Sequence, residues 1–175
     1  MQWENNVTKF IHKPNIEIEI RIGKTKRTGF DPDIGKSSYE RILKKLQSYD
    51  LWTSSYFSSF TDSYYDNIRH NDATNEVIEK CKLYASNRKL NNNIDIRLAI
   101  SSEKATQLPN SIETYKRKKI RHSFVHSFYR IDITHITNYN SYELELEICD
   151  IEYAKKHTSS FLLDCLTKEI HNLLS

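Results

Sequence analysis

Ile16, Ile18, Ile20 and Ile22 alternate with Glu17, Glu19, Arg21 and Gly23, a period-two pattern that predicts a strand with one apolar and one charged face. The segment 141–149 repeats it, with Leu144, Leu146 and Ile148 set against Glu143, Glu145 and Glu147. Between them, strand-like segments are expected at about 54–70, 76–84, 94–102, 115–125 and 127–136, separated by turns such as Asn71-Asp72 and Asn91-Asn92-Asn93. Two stretches follow the helical period instead. Tyr39, Ile42, Leu43 and Leu46 predict a helix running to about Tyr49, capped by Ser37 or Ser38. Leu162, Cys165, Leu166, Ile170 and Leu173 predict a closing helix from about Ser160. Residues 24–35, with two glycines and Pro32, read as a loop.

Composition supports a β-rich reading, since isoleucine outnumbers alanine 20 to 5. No internal repeat or low-complexity linker divides the 175 residues, so residues 1–175 are expected to form one domain. With 28% charged residues and no apolar run near the ~20 residues a membrane span needs, no membrane association is expected. Met1-Gln2-Trp3-Glu4-Asn5-Asn6 has neither the basic start nor the apolar core of a secretion signal. Cys81, Cys149 and Cys165 are scattered and form no CxxC, which points to a reducing, intracellular setting without disulfides or a zinc knuckle. All three glycines lie between Gly23 and Gly35, which excludes a GxGxxG dinucleotide loop. The net charge of +3 does not by itself mark a nucleic-acid binder.

The placement of the charges is more informative. Three glutamates at i, i+2 and i+4 stand only ~7 Å apart on one face and repel one another, and a neighbouring strand of the same habit worsens this. A hard cation is the simplest compensation for such carboxylates. Other strands supply the opposite sign by the same alternation. Asp95, Arg97 and Ala99 share a face, as do Arg117, Lys119, Arg121 and Ser123, and as do Arg130, Asp132 and Thr134. Lys80 and Lys82 share a face with Ile78. Two arrangements fit: a sheet with a wet outer surface, or a closed barrel with a charged lumen and an apolar exterior partly covered by helices. Closure would also remove exposed strand edges. Acidic rows for a metal facing basic rows for phosphates suit a metal-dependent polyphosphate site.

Glu17-Ile18-Glu19 and Tyr142-Glu143-Leu144-Glu145-Leu146-Glu147 resemble the two signature strands of the triphosphate tunnel metalloenzymes, with a closer likeness to the RNA 5′-triphosphatases of mRNA capping in fungi, protozoa and large DNA viruses. The intervening blocks agree in order. They are Asn67-Ile68-Arg69, Glu79-Lys80, the stretch from Asp95 to Glu103, Lys119-Ile120-Arg121-His122-Ser123 and Arg130-Ile131-Asp132-Ile133-Thr134.

The resemblance implies a mainly β (α+β) fold: a closed eight-stranded antiparallel β-barrel tunnel with a charged lumen, flanked by two or three helices. It implies hydrolysis of a γ-phosphate with Mg²⁺ or Mn²⁺. Glu17, Glu19 and Glu147 would ligate the metal, and Asp132 and Glu145 would hold metal-bound waters. Arg69, Lys119 and Arg121 would grip the γ-phosphate, with Lys80 or Lys82 nearby and Arg97 and Arg117 among the phosphate-binding cations. Glu103 would orient or deprotonate the attacking water. Glu143 would pair with lumen cations, and Arg21, Arg130, Thr134 and Ser123 would support the lumen.

Gly35-Lys36-Ser37 is not a P-loop, because five residues rather than four separate Gly29 from Gly35. His122 and His126 on a strand do not converge as they would on a helix, so zinc is not expected. Tyr56, Phe57 and Phe60 are candidates for a tunnel mouth, and in the run Lys116-Arg117-Lys118-Lys119 the alternation points Arg117 and Lys119 inward. The expected activity is removal of the γ-phosphate from 5′-triphosphate RNA in cap formation, with nucleoside triphosphates also accepted with Mn²⁺. The rival readings are a tunnel enzyme acting on inorganic triphosphate, thiamine triphosphate or ATP as a cyclase, and a non-enzymatic nucleic-acid-binding barrel. The last gives no reason for the glutamate rows. No guanylyltransferase KxDG block or methyltransferase pattern is present, so a guanylyltransferase and a cap methyltransferase are expected as separate partners or as further domains of a parent chain. The setting expected is the cytoplasm or nucleus, or a virion or viral factory if the source is a large DNA virus.

Overall fold

The computed structural model describes residues 2–175, and among them the chain forms nine strands and four helices. In chain order these are α1 (Gln2–Phe10), β1 (Ile16–Lys26), β2 (Gly29–Asp31), α2 (Lys36–Ser48), β3 (Ser54–Tyr65), β4 (Ile68–Asn71), β5 (Val77–Lys89), β6 (Asp95–Ala105), β7 (Tyr115–His126), β8 (Tyr129–Ile136), β9 (Ser141–Ile148), α3 (Ile151–Ala154) and α4 (Ser159–Leu174). The sheet runs β2-β1-β6-β5-β4-β3-β7-β8-β9, and β1 pairs again with β9, so eight strands close into an antiparallel barrel with β2 appended. At the seam Glu19 faces Glu147 and Arg21 faces Glu145.

Because side chains alternate across each strand, closure sends the two faces to different environments. The apolar face points outward. Ile18, Ile20, Leu98, Ile131, Ile133, Leu144 and Leu146 are fully buried outside the barrel wall, in one cluster with Trp3, Val7, Ile42, Leu46, Leu162 and Leu166 of the helices. The core therefore lies between barrel and helices. Among the described residues the outer faces of β3 and β4 carry no such cover, and β5 meets the helices only in its second half, where Arg88 lies over the Trp3 ring.

Several elements depart from the pattern-based expectations. Helix α1 was not anticipated, although Trp3, Val7 and Phe10 form its buried stripe; nine residues give that periodicity little length in which to register. The stretch expected as one strand over 54–70 is two, β3 and β4, joined through Asp66 at a φ of 57°. The loop expected at 24–35 holds the end of β1 and the short β2, which folds back so closely that a Cβ on Gly23 would stand 2.1 Å from the Asp31 carbonyl oxygen. Only glycine fits there. The residue that starts α2 is Gly35, at a φ of 76°, rather than Ser37 or Ser38. Its N–H donates to Asp33 Oδ1, which also accepts from the Tyr142 N–H, so the turn into α2 is tied to β9.

Candidate active site

The inward face of the barrel encloses a cavity of about 520 Å³. Strand alternation delivers Glu17, Glu19 and Arg21 from β1, Arg97, Ser101 and Glu103 from β6, and Lys80 and Lys82 from β5. Arg69 of β4, Arg117, Lys119 and Arg121 of β7, Arg130 of β8, Glu145 and Glu147 of β9, and Asp66 between β3 and β4 complete the charged lining. The apolar alternation of β6 ends at Ile100, yet the strand continues to Ala105, so Glu103 keeps the parity of Arg97 and Ser101 and faces inward.

Charge pairing inside the lumen is dense. Lys80 bonds Glu17, whose Oε2 also accepts from Ser101 Oγ at 2.7 Å, and Lys80 Nζ lies 3.4 Å from Glu103 Oε1. Arg21 joins the two glutamate strands, 2.9 Å from both Glu19 and Glu145. Arg121 donates to Thr134 Oγ1 at 3.0 Å and stands 3.2 Å from Asp132 and 3.6 Å from Glu145. Arg130 holds Asp132 at 3.0 Å and Glu147 at 2.6 Å. Arg117 takes Glu143 at 2.5 Å, the pairing with a lumen cation expected for that glutamate.

Asp132, Thr134, Glu143 and Ser123 do not line the cavity. They are buried on the inward face among the lining side chains, where Asp132 accepts from Ser123 Oγ at 2.6 Å as well as from Arg130. Lys82 lines the cavity as Lys80 does, so both lysines face the lumen, and Lys80 is the one held by Glu17. Of the aromatic residues considered for a mouth, Phe60 turns inward beneath Lys119 and Arg121, with its ring centroid 5.7 and 5.5 Å from the two cations. Phe57 points to the outer surface against His122. His122 and His126 therefore stand apart from the charged lumen.

Some lumen residues were not singled out in advance. Asp62 of β3 lies in the wall and holds Lys119 Nζ at 2.7 Å. Tyr64 and Tyr115 line the cavity as a stacked pair, and Asn87 Oδ1 accepts from Arg97 Nε at 2.8 Å. The signal for Asp62 and Tyr64 was their shared parity with Phe60 on a strand of Ser, Thr and Tyr, where no apolar face marks the alternation.

Electrostatics separate the carboxylates. Burial, with Glu145 and Glu17 close by, pushes Glu19 up to about 7 against the pull of Arg21. Burial and the neighbouring Glu17, Asp132 and Glu19 push Glu147 up to about 8, even though Arg130 opposes them. Burial would also raise Glu145, but Arg21, Arg121 and Lys119 outweigh it and hold its carboxyl well below the usual range. Burial lowers Lys119 to about 8, helped by Arg121 and Arg117 and opposed by Asp62.

The glutamates of β1 and β9 thus form an oxygen-rich set in which neighbouring carboxylates add to burial in raising Glu19 and Glu147, and oxygen ligands of this kind suit a hard divalent cation. Among the described residues, no three His, Cys, Asp or Glu side chains converge as a ready-made metal cage. Lys80 and Arg130 engage Glu17 and Glu147 instead.

The family model described as mRNA capping enzyme, beta chain, the mRNA triphosphatases, matches residues 66–161, more than half of the chain. The chain belongs to this family. Its fold is similar to that of the S. pombe RNA triphosphatase Pct1 in complex with the Spt5 CTD, at 19% identity over 97% of this chain and 89% of that one, with a TM-score of 0.78. It is also similar to the RNA triphosphatase domain of the trifunctional mimivirus mRNA capping enzyme, at 18% identity over 98% of this chain and 95% of that one, with a TM-score of 0.60. No curated protein sequence matches the chain significantly. The family match covers all six strands from β4 to β9, while Glu17 and Glu19 lie outside the matched residues.

Proposed function

We propose that this protein is a divalent-cation-dependent RNA 5′-triphosphatase, using Mg²⁺ or Mn²⁺ to remove the γ-phosphate from triphosphate-ended RNA. The observation that carries this reading is the convergence on one cavity of the Glu17, Glu19, Glu145 and Glu147 cluster and the cations Arg69, Lys80, Lys119 and Arg121. A row of carboxylates alone repels a triphosphate, and a row of cations alone binds it without turnover; the combination suits phosphoryl transfer, which depends on positioning and charge stabilisation.

Glu17, Glu19 and Glu147 would hold the cation, with Glu145 beside them. The bound cation supplies Lewis-acid polarisation of a phosphate oxygen and neutralises developing charge. The remaining work belongs to side chains. Arg69, Lys119 and Arg121 bind the oxygens of the γ-phosphate, and the planar guanidinium groups suit forked contacts. Glu103, 3.4 Å from Lys80 and 3.8 Å from Arg69, orients the attacking water and takes its proton. The water oxygen forms a bond to the γ-phosphorus as the bond to the β–γ bridging oxygen breaks. Inorganic phosphate and a diphosphate RNA end are the products, and the electron pair stays with the latter. Arg21, Arg130 and the buried Asp132 fix the orientation of these groups.

Within this reading the protein works with a guanylyltransferase, which acts on the diphosphate end it makes, and with a cap methyltransferase, which acts on the guanosine so added. Nucleoside triphosphates present the same phosphate chain and are accepted with Mn²⁺.

The test is release of phosphate from γ-³²P-labelled triphosphate RNA with and without Mg²⁺ or Mn²⁺, beside inorganic triphosphate. Metal-dependent release leaving a diphosphate RNA end is the expected result. Release from inorganic triphosphate alone overturns it.

A further inference from the structure

The two ends of the tunnel differ. All neighbouring strands of the barrel are antiparallel, so β6 and β7 begin at the same end at which β3 finishes. Arg97, Tyr115 and Tyr64 therefore share one mouth, whereas Glu17 at the start of β1 and Glu103 near the finish of β6 stand toward the other. At the first mouth the Tyr64 and Tyr115 rings stack, with centroids 4.4 Å apart and planes within 7° of parallel. Both line the cavity, yet Tyr115 is 44% exposed. One ring is wedged in the wall, and the other offers a held, partly open aromatic face beside Arg117, the next inward residue of β7.

We infer that the Tyr64–Tyr115 pair is a stacking platform for the first nucleobase of the substrate RNA, and that RNA enters the tunnel by this mouth. The inference rests on the triphosphatase reading and adds to it the subsite that separates RNA from inorganic triphosphate. Three points support it. A base has an apolar face and no charge, so the phosphate-binding cations give it nothing to bind, whereas a pre-stacked tyrosine does, whatever the base. Tyr115 lies outward of Arg117 on the same face of the same strand, in the order base then phosphate that a 5′-triphosphate end requires. In-line displacement needs the attacking water opposite the leaving diphosphate. Glu103 stands toward the far end from Tyr115, so a chain entering past Tyr115 points its γ-phosphate at the water that Glu103 holds. The opposite mouth also carries an aromatic, Tyr56, which is 47% exposed, but its ring does not line the cavity and has no stacked support.

The test compares equilibrium binding of an oligoribonucleotide ending in a 5′-β,γ-imidotriphosphate with binding of inorganic triphosphate carrying imido groups at both bridging positions (imidotriphosphate), both with Mn²⁺. Neither ligand is hydrolysed, so the result does not depend on turnover. Tyr115→Ala is expected to raise the Kd for the RNA end about tenfold while moving that for imidotriphosphate less than about twofold. Tyr115→Phe, which keeps the ring, is expected to bind both as the parent does, and Tyr56→Ala likewise. Equal weakening of both ligands by Tyr115→Ala, or of neither, overturns the platform. A selective RNA defect in Tyr56→Ala instead overturns the direction of entry. Failure of the triphosphatase reading would appear separately, as no phosphate release from labelled RNA by the parent protein.

Discussion

Lys119 Nζ lies 2.7 Å from Asp62 Oδ2, and both side chains are buried where β7 meets β3. Asn71 Nδ2 donates to the other carboxylate oxygen at 3.0 Å, so Asp62 ties the phosphate-facing lysine to the end of β4. Removing one member of such a pair strands the other charge in the wall. Asp62→Ala is therefore expected to cost about 3–5 kcal/mol of stability in urea unfolding. The Asp62→Ala, Lys119→Met double variant should recover much of that loss. A single variant within about 0.5 kcal/mol of the parent, the range of an ordinary surface substitution, would refute a structural role for the pair.

The carboxyls of Glu19 and Glu147, raised to about 7 and about 8, set the pH dependence of the cation-free protein. Both bind a proton in the folded state at pH values where the unfolded chain has lost it. Stability should thus fall as pH rises from about 4.5 towards 8, by at most about 1.4 kcal/mol per pH unit for each proton. Chelator-treated protein melted across this range reads the slope, and Glu147→Gln should flatten its upper part. Added Mn²⁺ should release protons and stabilise most at the alkaline end. A melting temperature that climbs between pH 5 and 8 without metal would contradict the assignment.

Glu19→Ala and Glu147→Ala are each expected to abolish metal-dependent phosphate release and to leave the barrel folded, because each removes one of several mutually repelling carboxylates. Activity within about tenfold of the parent in either variant, a change of only about 1.4 kcal/mol, would remove that residue from the metal set.

Arg121 reaches Thr134, Asp132 and Glu145 through separate nitrogens while its guanidinium faces Phe60. An ammonium cannot keep these contacts and still fork onto a phosphate. Arg121→Lys should lower kcat by about a hundredfold, comparable to the loss of one transition-state donor. An unchanged kcat would move Arg121 out of the phosphate shell.

Lys119 carries its charge below about pH 8 and loses it above. KM for triphosphate RNA should accordingly rise as pH passes from 8 upward. Lys119→Arg should make that limb flat, since a guanidinium stays protonated there. A parent KM that is constant up to pH 9 would place the triphosphate away from Lys119.

The sequence by itself determined the local elements and the sign of each face. Ile16 to Gly23 and Tyr142 to Ile148 alternate so regularly that strand, register parity and charged face follow from spacing alone. The same parity sorted Arg117 and Lys119 from the exposed Lys116 and Lys118. It was weakest on β3, whose Ser, Thr and Tyr residues mark neither face, and there Asp62 and Tyr64 went unnoticed.

Only the tertiary structure decided between a wet sheet and a tunnel. That choice rests on the pairing of β1 with β9, a contact between residues more than a hundred positions apart, which turns the charged faces inward and places the hydrophobic core outside the barrel under α1, α2 and α4. Closure also ranked residues of one type. Arg21, Arg121, Lys119 and Lys80 hold Glu145 down, whereas burial and neighbouring carboxylates raise Glu147 and Glu19 against Arg130 and Arg21, so neighbouring glutamates of one strand titrate in opposite directions. Spacing along a strand sets which way a side chain points; the strands brought against it set what it meets there.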